Sequence, residues 1–270
     1  MKAIGIVAAM HGEIAGLVHE MGTDVQVHRI GQRDYYMGTL HGRSCVVVLT
    51  RIGKVAAAAT TVTLIREFNV GEIVFTGLAG AVAPGVRVGD VVVAHSLLQH
   101  DIDASPLFPQ YEVPLLGCSR FPADAALSAR LMQCARDYLE HDFYRQVSAQ
   151  RRAALGVDAP ALHQGLIISG DQFVDCPQEV QRLRDALPDA LCVEMEGAAV
   201  AQICHEYGVP FAVMRTISDS ADDTACVHFS AFLEQVARVY AHGILRRFLQ
   251  GVPSANVNDH PAASARRTAS

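Results

Sequence analysis

Residues 191–220 read LCVEMEGAAVAQICHEYGVPFAVMRTISDS, and this stretch decides the fold. An apolar run at 191–193 is followed by helical periodicity over 194–207 and by a second, largely apolar run at 211–217. A strand, a helix and a second strand in this order are the unit from which parallel sheets are built. The stretch therefore predicts an α/β protein whose helix packs against a sheet.

The same alternation extends along the rest of the chain. Further strands are predicted at 3–8, 35–40, 45–50, 73–76, 90–94 and 166–169. Further helices are predicted at 11–21, 54–68, 124–139, 177–186 and 229–249. Short apolar runs that alternate with helices are expected of a sheet covered on both faces. We therefore expect a single-domain, three-layer α/β/α fold, with a central twisted sheet that is mixed but mostly parallel and is flanked by helices.

The last predicted helix and the residues after it set the domain boundary. Apolar residues of this helix recur at steps of three and four, which predicts a buried stripe. The stripe consists of Phe229, Phe232, Val236, Tyr240, Ile244 and Phe248. Residues 251–270, GVPSANVNDHPAASARRTAS, are small, polar and unpatterned, a composition typical of disorder. We expect one domain at 1–250 and a disordered tail at 251–270.

Composition favours a small molecule as the partner. The 270 residues carry a formal net charge of -6, and no basic cluster is longer than the pair Arg246 and Arg247. Nucleic-acid binding needs a concentrated basic face, which this chain lacks. No apolar run approaches the roughly 20 residues of a membrane span, and the N-terminus has no signal-peptide pattern. We expect a cytoplasmic protein that binds neither nucleic acid nor membrane.

Cysteine and histidine spacing indicates no metal site. The seven cysteines include no C-x-x-C pair, so they predict neither a disulfide framework nor a zinc signature. Cys192 and Cys204 lie in apolar segments and are predicted to be core residues in a reducing compartment. His11, His100 and His205 are scattered singly, without the spacing of metal ligands, and are predicted to be structural or surface residues.

Polar residues follow four of the apolar runs. They lie in AMHGE at 9–13, TGLAG at 76–80, EMEG at 194–197 and SDS at 218–220. Ligands of open α/β sheets gather beyond the C-terminal ends of the strands, so these four stretches are the first candidates for a site. Each also has an ordinary explanation, because carboxylates favour helix N-termini, and aspartate and glycine favour turns. The candidate site therefore depends on their combination.

Residues 100–120, HDIDASPLFPQYEVPLLGCSR, differ from the rest of the chain. Three prolines make a regular element unfavourable, and the apolar side chains make an inert linker equally unfavourable. We expect this segment to be a loop that packs either on the active site of its own chain or on a neighbouring subunit.

Six stretches together carry a family resemblance. They are KAIGIVAAMHGEI, RIGKVAAAATT, FTGLAGAVAPGVRVGDVVVA, GLIISGDQFV, VEMEGAAVAQICHEYGVPF and VMRTISDSAD. In this order they resemble the 5′-methylthioadenosine/S-adenosylhomocysteine nucleosidases of the purine nucleoside phosphorylase/uridine phosphorylase superfamily, over Lys2 to about Asp222, or roughly four-fifths of the chain. The resemblance implies a nucleoside phosphorylase-like fold. It also implies hydrolysis of 5′-substituted adenosines to adenine and the 5-substituted ribose, with no metal or organic cofactor.

The resemblance assigns roles to individual residues. Asp219 matches the general acid that protonates N7 of the purine, Ser218 supports its side chain, and Glu13 matches the carboxylate that activates the attacking water. Two carboxyl groups can divide this work when one is protonated and the other ionised. The residues that match the substrate-binding set are Glu196 and Met195 at the ribose hydroxyls, Glu194, Arg215 and Met10 near the sugar, Phe173 and Val174 at the purine, and Ala79 and Gly80 in a glycine-rich turn at the floor.

The loop at 100–120 matches a segment that closes the 5′ end of the pocket across a dimer interface in the family. The resemblance therefore implies a homodimer with this loop at the interface, and Phe108 as a contact to the partner's substrate. The loop differs in detail from well-known members, and Leu78 replaces a serine that is common in the family. The preferred 5′ substituent thus stays open.

Two other functions remain as alternatives. A purine nucleoside phosphorylase would share the fold but use phosphate, a dianion that is usually held by arginines and backbone amides. Arg51 precedes the turn at Gly53 and could point inward, but no arginine lies in 10–14, where Glu13 would repel phosphate, so hydrolysis is favoured. A nucleoside-binding protein without turnover would also keep the fold, but would be free to lose Glu13, Glu196 and Asp219.

Overall fold

A computed structural model describes residues 2–220, 232, 236 and 238–251, with the backbone alone at 11 and 12. The strands are β1 (Ile4–Ala8), β2 (Gln26–Ile30), β3 (Arg33–Leu40), β4 (Arg43–Leu49), β5 (Glu72–Phe75), β6 (Leu78–Ala81), β7 (Val91–Gln99), β8 (Arg120–Pro122), β9 (Leu162–Ser169), β10 (Ala190–Glu194) and β11 (Phe211–Asp219). The helices are α1 (His11–Glu20), α2 (Lys54–Arg66), α3 (Ala125–His141), α4 (Phe143–Gln146), α5 (Ala149–Leu155), α6 (Pro177–Ala186), α7 (Gly197–Tyr207) and α8 (Arg238–Gln250).

The strands form one mixed sheet in the order β2-β3-β4-β1-β5-β11-β6-β10-β9-β7-β8. An additional pairing between β11 and β7 joins the two sides of its second half, so that β11, β6, β10, β9 and β7 form a closed ring of strands. Parallel pairs join β1 to β4 and β5, β11 to β5 and β6, and β9 to β7 and β10. The remaining pairs are antiparallel. The expected mixed sheet is confirmed, with parallel pairs only slightly in excess.

Alternating side chains of the central strands build the two faces of the sheet. In β4, Cys45 and Val47 belong to a core that includes residues of α1, α3 and α8. Val46 and Val48 belong to a second core that includes residues of α2 and α7. Because successive residues of a strand point to opposite faces, this division places helices on both sides of the sheet. The expected α/β/α layering is therefore confirmed.

Most predicted elements are present with shifted ends, and three strands differ from expectation. The glycine-rich stretch that was predicted as a turn at Ala79 and Gly80 is a strand, β6, so that prediction was wrong. Its backbone pairs with β10 on one side and β11 on the other, which compensates for the low strand propensity of glycine. The sequence analysis missed β2, whose side chains are mostly exposed, and the short β8, because neither contains an apolar run.

The helix predicted at 194–207 begins later, at Gly197. Glu194 is instead the last residue of β10, and Glu196 is the residue that precedes α7. The predicted assignment of both glutamates to the helix was therefore wrong. The two short helices α4 and α5 were also missed, because four and seven residues are too few to show a clear period.

The predicted apolar stripe of the last helix is buried where the structure describes it. Phe232, Val236, Tyr240, Ile244 and Phe248 are all buried. Phe229 lies outside the described residues, as does the predicted tail apart from Gly251. Cys192 and Cys204 are buried, as predicted for core residues.

The segment at 100–120 is irregular, as expected, up to the point where β8 begins. Most of it is turn or loop, and Val113 and Cys118 form an isolated antiparallel bridge within it. Leu107 and Leu115 are 84% and 92% exposed, which is unusual for large apolar side chains. No helix in the described part of the chain is long and apolar enough to cross a membrane.

Close packing between α3 and α8 gives a stability prediction at Gly243. A Cβ atom at this position would lie 2.2 Å from Cε2 of Tyr138, whose side chain is buried. Alanine favours a helix over glycine by about 1 kcal/mol, whereas overpacking a core costs about 1–3 kcal/mol. Because the ring cannot move into solvent, we expect Gly243→Ala to lower the free energy of unfolding by about 1–2 kcal/mol in chemical denaturation.

The matched control is Gly85→Ala, since a Cβ at Gly85 would meet no atom within 4 Å. This control should leave the free energy of unfolding within about 0.5 kcal/mol of the parent. Equal stability of the Gly243→Ala variant and the parent would contradict the packing that we describe between α3 and α8.

Candidate active site

A cleft opens where β1, β10 and β11 end and β6 begins. It contains about 730 Å³ of space free of protein atoms, part of it open to solvent, which is within the usual range of ligand pockets. Residues from all four candidate stretches and from the GDQFV loop line it. Those that the sequence analysis named are Met10, Glu13, Ala79, Gly80, Phe173, Val174, Glu194, Met195, Glu196, Arg215, Ser218 and Asp219.

Glu13 lies in the first turn of α1 and is buried at the cleft. Its Oε2 accepts hydrogen bonds from the backbone N–H groups of Ala9 (3.1 Å) and Met10 (2.9 Å). Its Oε1 is buried and accepts no hydrogen bond from the residues that the structure describes. Burial raises the pKa of Glu13 to about 7, although the Met10 N–H and the charge of Arg215 act in the opposite direction. A carboxylate with this pKa can both bind and release a proton near neutral pH.

Glu194 and Arg215 form a buried ion pair beneath the cleft. The Nη2 and Nε atoms of Arg215 lie 2.6 and 3.2 Å from Oε2 of Glu194. The guanidinium also stacks 4.0 Å above the ring of Phe75, and a Cβ at Gly77 would lie 3.2 Å from its Cζ. Arg215 was predicted to lie at the sugar side of the site, and it does line the cleft. Two nitrogens of Arg215 donate to the carboxylate of Glu194, however, so much of its hydrogen-bonding capacity is already used.

The same carboxylate of Glu194 caps α7. It accepts hydrogen bonds from the backbone N–H groups of Glu196 (3.1 Å) and Gly197 (2.8 and 2.9 Å). The hydroxyl of Ser169 also donates to it, and this oxygen accepts from the N–H of Ala198. The orphan N–H groups of the helix are thereby satisfied. A Cβ at Gly197 would lie 2.7 Å from Cδ2 of Leu97 and 3.1 Å from Oε1 of Glu194, so this close packing favours glycine.

Glu196 is held from across the cleft by the turn that precedes α2. Its Oε1 accepts a hydrogen bond of 2.8 Å from the backbone N–H of Gly53. Burial, followed by the negative charge of Glu194, raises the pKa of Glu196 above its ordinary value. Gly53 has a φ of 99°, a backbone angle that residues other than glycine rarely adopt. The resulting geometry leaves the second oxygen of Glu196 for other partners in the cleft.

A β-bulge brings Ser218 and Asp219 into the cleft together. Successive strand residues normally point to opposite faces, but the pairing between β11 and β6 shifts by one residue between Ile217 and Asp219. Both side chains therefore line the cleft, where the hydroxyl of Ser218 donates to Oδ2 of Asp219 at 2.7 Å. This hydrogen bond is the contact that the resemblance implied. Asp219 is buried and lies opposite Gly80 in the register.

Phe173 and Val174 lie on the loop after β9, and a network of charged groups fixes this loop to α2. Oδ1 of Asp171 accepts from the backbone N–H of Lys54 (2.7 Å), and the backbone N–H of Asp171 donates to Asp101 (2.8 Å). Nζ of Lys54 is 2.6 Å from the other oxygen of Asp101. The loop is thus anchored just before Phe173, which remains 40% exposed at the cleft.

Some predicted residues lie elsewhere, and some lining residues were not predicted. Phe108 does not line the cleft of its own chain. Leu78 does, next to the floor residues. The sequence analysis did not single out Ile52 and Gln172, which also line the cleft, although both belong to stretches that carried the resemblance. A neutral glutamine and an isoleucine have no chemistry of their own that would identify them from sequence.

The arrangement concentrates carboxyl groups around one guanidinium. Glu13, Glu196 and Asp219 line the cleft alongside the ion pair of Glu194 and Arg215. The cleft is therefore suited to a ligand that carries or develops positive charge, and poorly suited to an anion such as phosphate. No cluster of three or more histidine, cysteine or acidic side chains within the described ranges could hold a metal ion.

Comparisons with known proteins agree with this geometry. The family model described as Phosphorylase superfamily matches residues 3–250. A 5′-methylthioadenosine/S-adenosylhomocysteine nucleosidase of Anoxybacillus flavithermus is 35% identical over 87% of this chain and 92% of its own length. An aminodeoxyfutalosine nucleosidase of Helicobacter pylori is 33% identical over 89% of this chain and 96% of its own.

A solved structure gives the same result. The 5′-methylthioadenosine/S-adenosylhomocysteine nucleosidase of Neisseria meningitidis, in complex with methylthio-immucillin-A, is 34% identical and superposes with a TM-score of 0.80. The match covers 93% of this chain and 99% of that protein. From the family match and these similarities, the chain belongs to the phosphorylase superfamily.

Proposed function

We propose that this protein hydrolyses the N-glycosidic bond of 5′-substituted adenosines, among them 5′-methylthioadenosine and S-adenosylhomocysteine, and releases adenine. The family and the nucleosidase relatives make the chain an N-glycosidic nucleoside hydrolase. The observation that carries the mechanism is the buried Oε1 of Glu13, which lies at the cleft with a pKa near neutrality. Such a group is suited to hold and deprotonate a water molecule.

Asp219 acts as the general acid in this mechanism. The bond between C1′ and N9 breaks toward an oxocarbenium-like sugar, and its electron pair moves into the purine. Protonation at N7 by Asp219 neutralises that charge as the base departs. The hydroxyl of Ser218 donates to Oδ2 of Asp219 and so fixes the orientation of the carboxyl group.

Glu13 supplies the nucleophile. The oxygen of a water molecule attacks C1′, and one proton of that water passes to Oε1 of Glu13. The two N–H groups that hold Oε2 keep the carboxylate from rotating away. Room for a water between acid and base is the arrangement used by inverting glycosidases. Together the two carboxyl groups account for every proton that moves.

Glu196 binds the ribose hydroxyls in this proposal, with Met195 packed beside it. The hydrogen bond from Gly53 leaves one carboxylate oxygen for the sugar. The carboxylate of Glu13, which is ionised above its pKa of about 7, stabilises the positive charge that develops on the ribose. This interaction is stronger in the transition state than in the ground state, so it increases the rate.

Phosphorolysis is the main alternative, and the charges in the cleft disfavour it. Arg215 is the guanidinium that lines the cleft among the described residues, and it is paired with Glu194. A phosphate dianion would therefore meet Glu13 with no unpaired guanidinium to compensate. Relatives that act on futalosine derivatives leave the 5′ substituent undecided, although not the hydrolytic reaction.

We also propose that the protein is a homodimer with the loop at 100–120 at the interface. The two leucines of this loop, Leu107 and Leu115, are almost fully exposed in the single chain. Apolar side chains on such a loop are typical of a surface that a partner covers. Phe108 lies beside Leu107 and would reach the partner's substrate in this arrangement.

The first prediction tests the reaction. Asp219→Asn removes the transferable proton with little change in volume, so kcat should fall by about 10²–10⁴-fold. The assay uses phosphate-free buffer and measures the release of adenine from 5′-methylthioadenosine by chromatography. The variant should still bind the same nucleoside, with a Kd by calorimetry that lies within about threefold of the KM of the parent. Unchanged turnover would overturn the role of Asp219. Strict dependence of the parent on added phosphate would favour the phosphorylase alternative.

The second prediction concerns pH. Because the pKa of Glu13 is raised to about 7, its carboxyl group is mostly protonated below that pH and cannot accept a proton from water. We expect kcat/KM to fall by about tenfold per pH unit below pH 7. Glu13→Gln should lose most activity and this limb of the profile.

The pKa of Glu196 is also raised, so a second variant is needed to show which carboxyl group causes the decline of kcat/KM below pH 7. Glu196→Gln should weaken substrate binding but keep the decline below pH 7. The exposed Glu140 provides a charge-matched control, since Glu140→Gln should keep both activity and profile. A profile that stays flat down to pH 5 would contradict the proposed role of Glu13.

The third prediction tests the dimer. Sedimentation equilibrium should give twice the chain mass of 29.0 kDa, and Leu115→Arg should shift the population toward monomer and raise KM. The control is Tyr144→Arg, which adds the same charge at an exposed aromatic side chain on α4. A monomeric parent with full activity would exclude the proposed interface.

A further inference from the structure

A second cavity adjoins the active-site cleft. The two share Ala9, Met10 and Ile52 as common walls. The second cavity holds about 1080 Å³ of space free of protein atoms, part of it open to solvent. Its remaining walls are Gln32, Arg33, Asp34, Tyr36, Leu49 and Arg51. Most of the exposed surface of these walls is apolar, but two of the wall residues carry guanidinium groups.

Two wall residues have an unusual backbone conformation. Gln32 has a φ of 59° and Arg51 a φ of 71°, in the left-handed region that favours glycine. The two residues are joined by a hydrogen bond of 2.6 Å from Nη2 of Arg51 to the carbonyl oxygen of Gln32. Gln32 follows Gly31 in the two-residue turn between β2 and β3, where left-handed conformations are usual. The hydrogen bond to this turn holds the side chain of Arg51 at the cavity wall.

The two guanidinium groups differ in what they can still bind. Arg33 donates to the carbonyl oxygens of Thr50 and Gly31 at 3.1 Å, and to that of Ala56 at 3.5 Å, so all three of its nitrogens are engaged. Arg51 is exposed and makes the single hydrogen bond to Gln32 within the described part of the chain. Four of its five N–H donors thus remain for a ligand.

Asp34 is the acidic wall residue, and it has a cation of its own. Its carboxylate lies 3.9 Å from Nε of Arg29 on the neighbouring strand. Arg33 and Arg51 therefore leave the cavity with a net positive charge, in contrast to the carboxyl-rich cleft beside it. An anionic group is favoured in the second cavity and disfavoured in the cleft.

The two spaces meet at Met10 and Ile52, which line both of them. The proposed function puts the purine at Phe173 and Asp219 and the ribose between Glu13 and Glu196. We propose that the 5′ carbon then faces Met10 and Ile52, that the 5′ substituent extends past them into the second cavity, and that Arg51 binds a carboxylate at its far end. This inference rests on the proposed function, and it makes Arg51 a specificity-determining residue.

Two matched substrates isolate the carboxylate. 5′-Deoxy-5′-(3-carboxypropylthio)adenosine and 5′-butylthioadenosine have 5′ substituents of equal length that end in a carboxylate and a methyl group. The measured quantity is the ratio of their kcat/KM values in the purified full-length protein. One charge-assisted hydrogen bond is worth about tenfold, so the parent should prefer the carboxylate by about that factor. Added salt should reduce the preference.

Three variants test the assignment to Arg51. Arg51→Gly suits the left-handed backbone and removes the charge, so the ratio should fall about tenfold. Arg51→Lys keeps the charge without the planar fork and should give an intermediate ratio. Arg66→Met is the control, because it removes an exposed arginine at the far end of α2, and it should leave the ratio unchanged. Melting temperatures of all variants establish that each one folds.

S-Adenosylhomocysteine is a third substrate, whose carboxylate belongs to an amino acid. For each acidic substrate, the measured quantity is its kcat/KM divided by that of 5′-butylthioadenosine. A tenfold fall of this ratio in Arg51→Gly for either acidic substrate supports the proposal and shows which kind of carboxylate is bound. Equal ratios in the parent and in Arg51→Gly for both would overturn it while leaving hydrolysis intact. If the parent hydrolyses none of the three substrates, the proposed function is overturned, and this inference with it.

Discussion

The buried ion pair between Glu194 and Arg215 is the interaction on which the rest of the site depends. It joins the end of β10 to the middle of β11, and the same carboxylate caps the first N–H groups of α7. Removing one partner of such a pair leaves an uncompensated buried charge and costs about 3–5 kcal/mol. Because Glu196 directly precedes α7, the capping of this helix by Glu194 also fixes the position of Glu196 in the cleft. This one ion pair therefore determines both the position of the start of α7 and the arrangement of charges in the cleft.

That pair also explains why neighbouring carboxyl groups differ. Glu194 is neutralised by Arg215 and saturated by backbone donors, so it has little capacity left for chemistry. Glu13 and Glu196 lack a cation of their own, and burial raises the pKa of both. The field of Arg215 lowers the pKa of Glu13 only in part. Groups of one chemical type thus acquire separate roles from their surroundings, which is how a single cleft provides both structural and reactive carboxylates.

Sequence patterns predicted the layers of the fold and the four stretches that meet at the cleft, because apolar periodicity and strand-end polarity are local signals. The family resemblance, rather than these patterns, supplied Phe173, Val174 and Arg215 and the roles of the individual residues. Glu13, Glu196 and Asp219 were expected together, and one cleft holds them. The elements β2, β8, α4 and α5 were missed because their local patterns are weak, and two further errors were non-local. Ala79 and Gly80 form a strand only because β10 and β11 pair with them on both sides. Glu194 ends a strand because Arg215, 21 positions away, engages it. Arg51 was considered from the sequence only as an arginine that could point inward and hold phosphate, since its left-handed backbone and its place in a cavity wall are seen only in the structure.

The turn that precedes α2 connects the cleft, the loop after β9 and the second cavity. The N–H of Gly53 holds Glu196 in the cleft, and the N–H of Lys54 holds Asp171, just before Phe173. Arg51, two residues before Gly53, faces the second cavity. The backbone of the turn thus makes the hydrogen bonds to Glu196 and Asp171, while the side chains of Arg51 and Ile52 line the second cavity. Because those hydrogen bonds need no particular side chain at 51 or 52, substitutions there should, under our proposal, change the preference for the 5′ substituent while Glu196 and Asp171 stay in place.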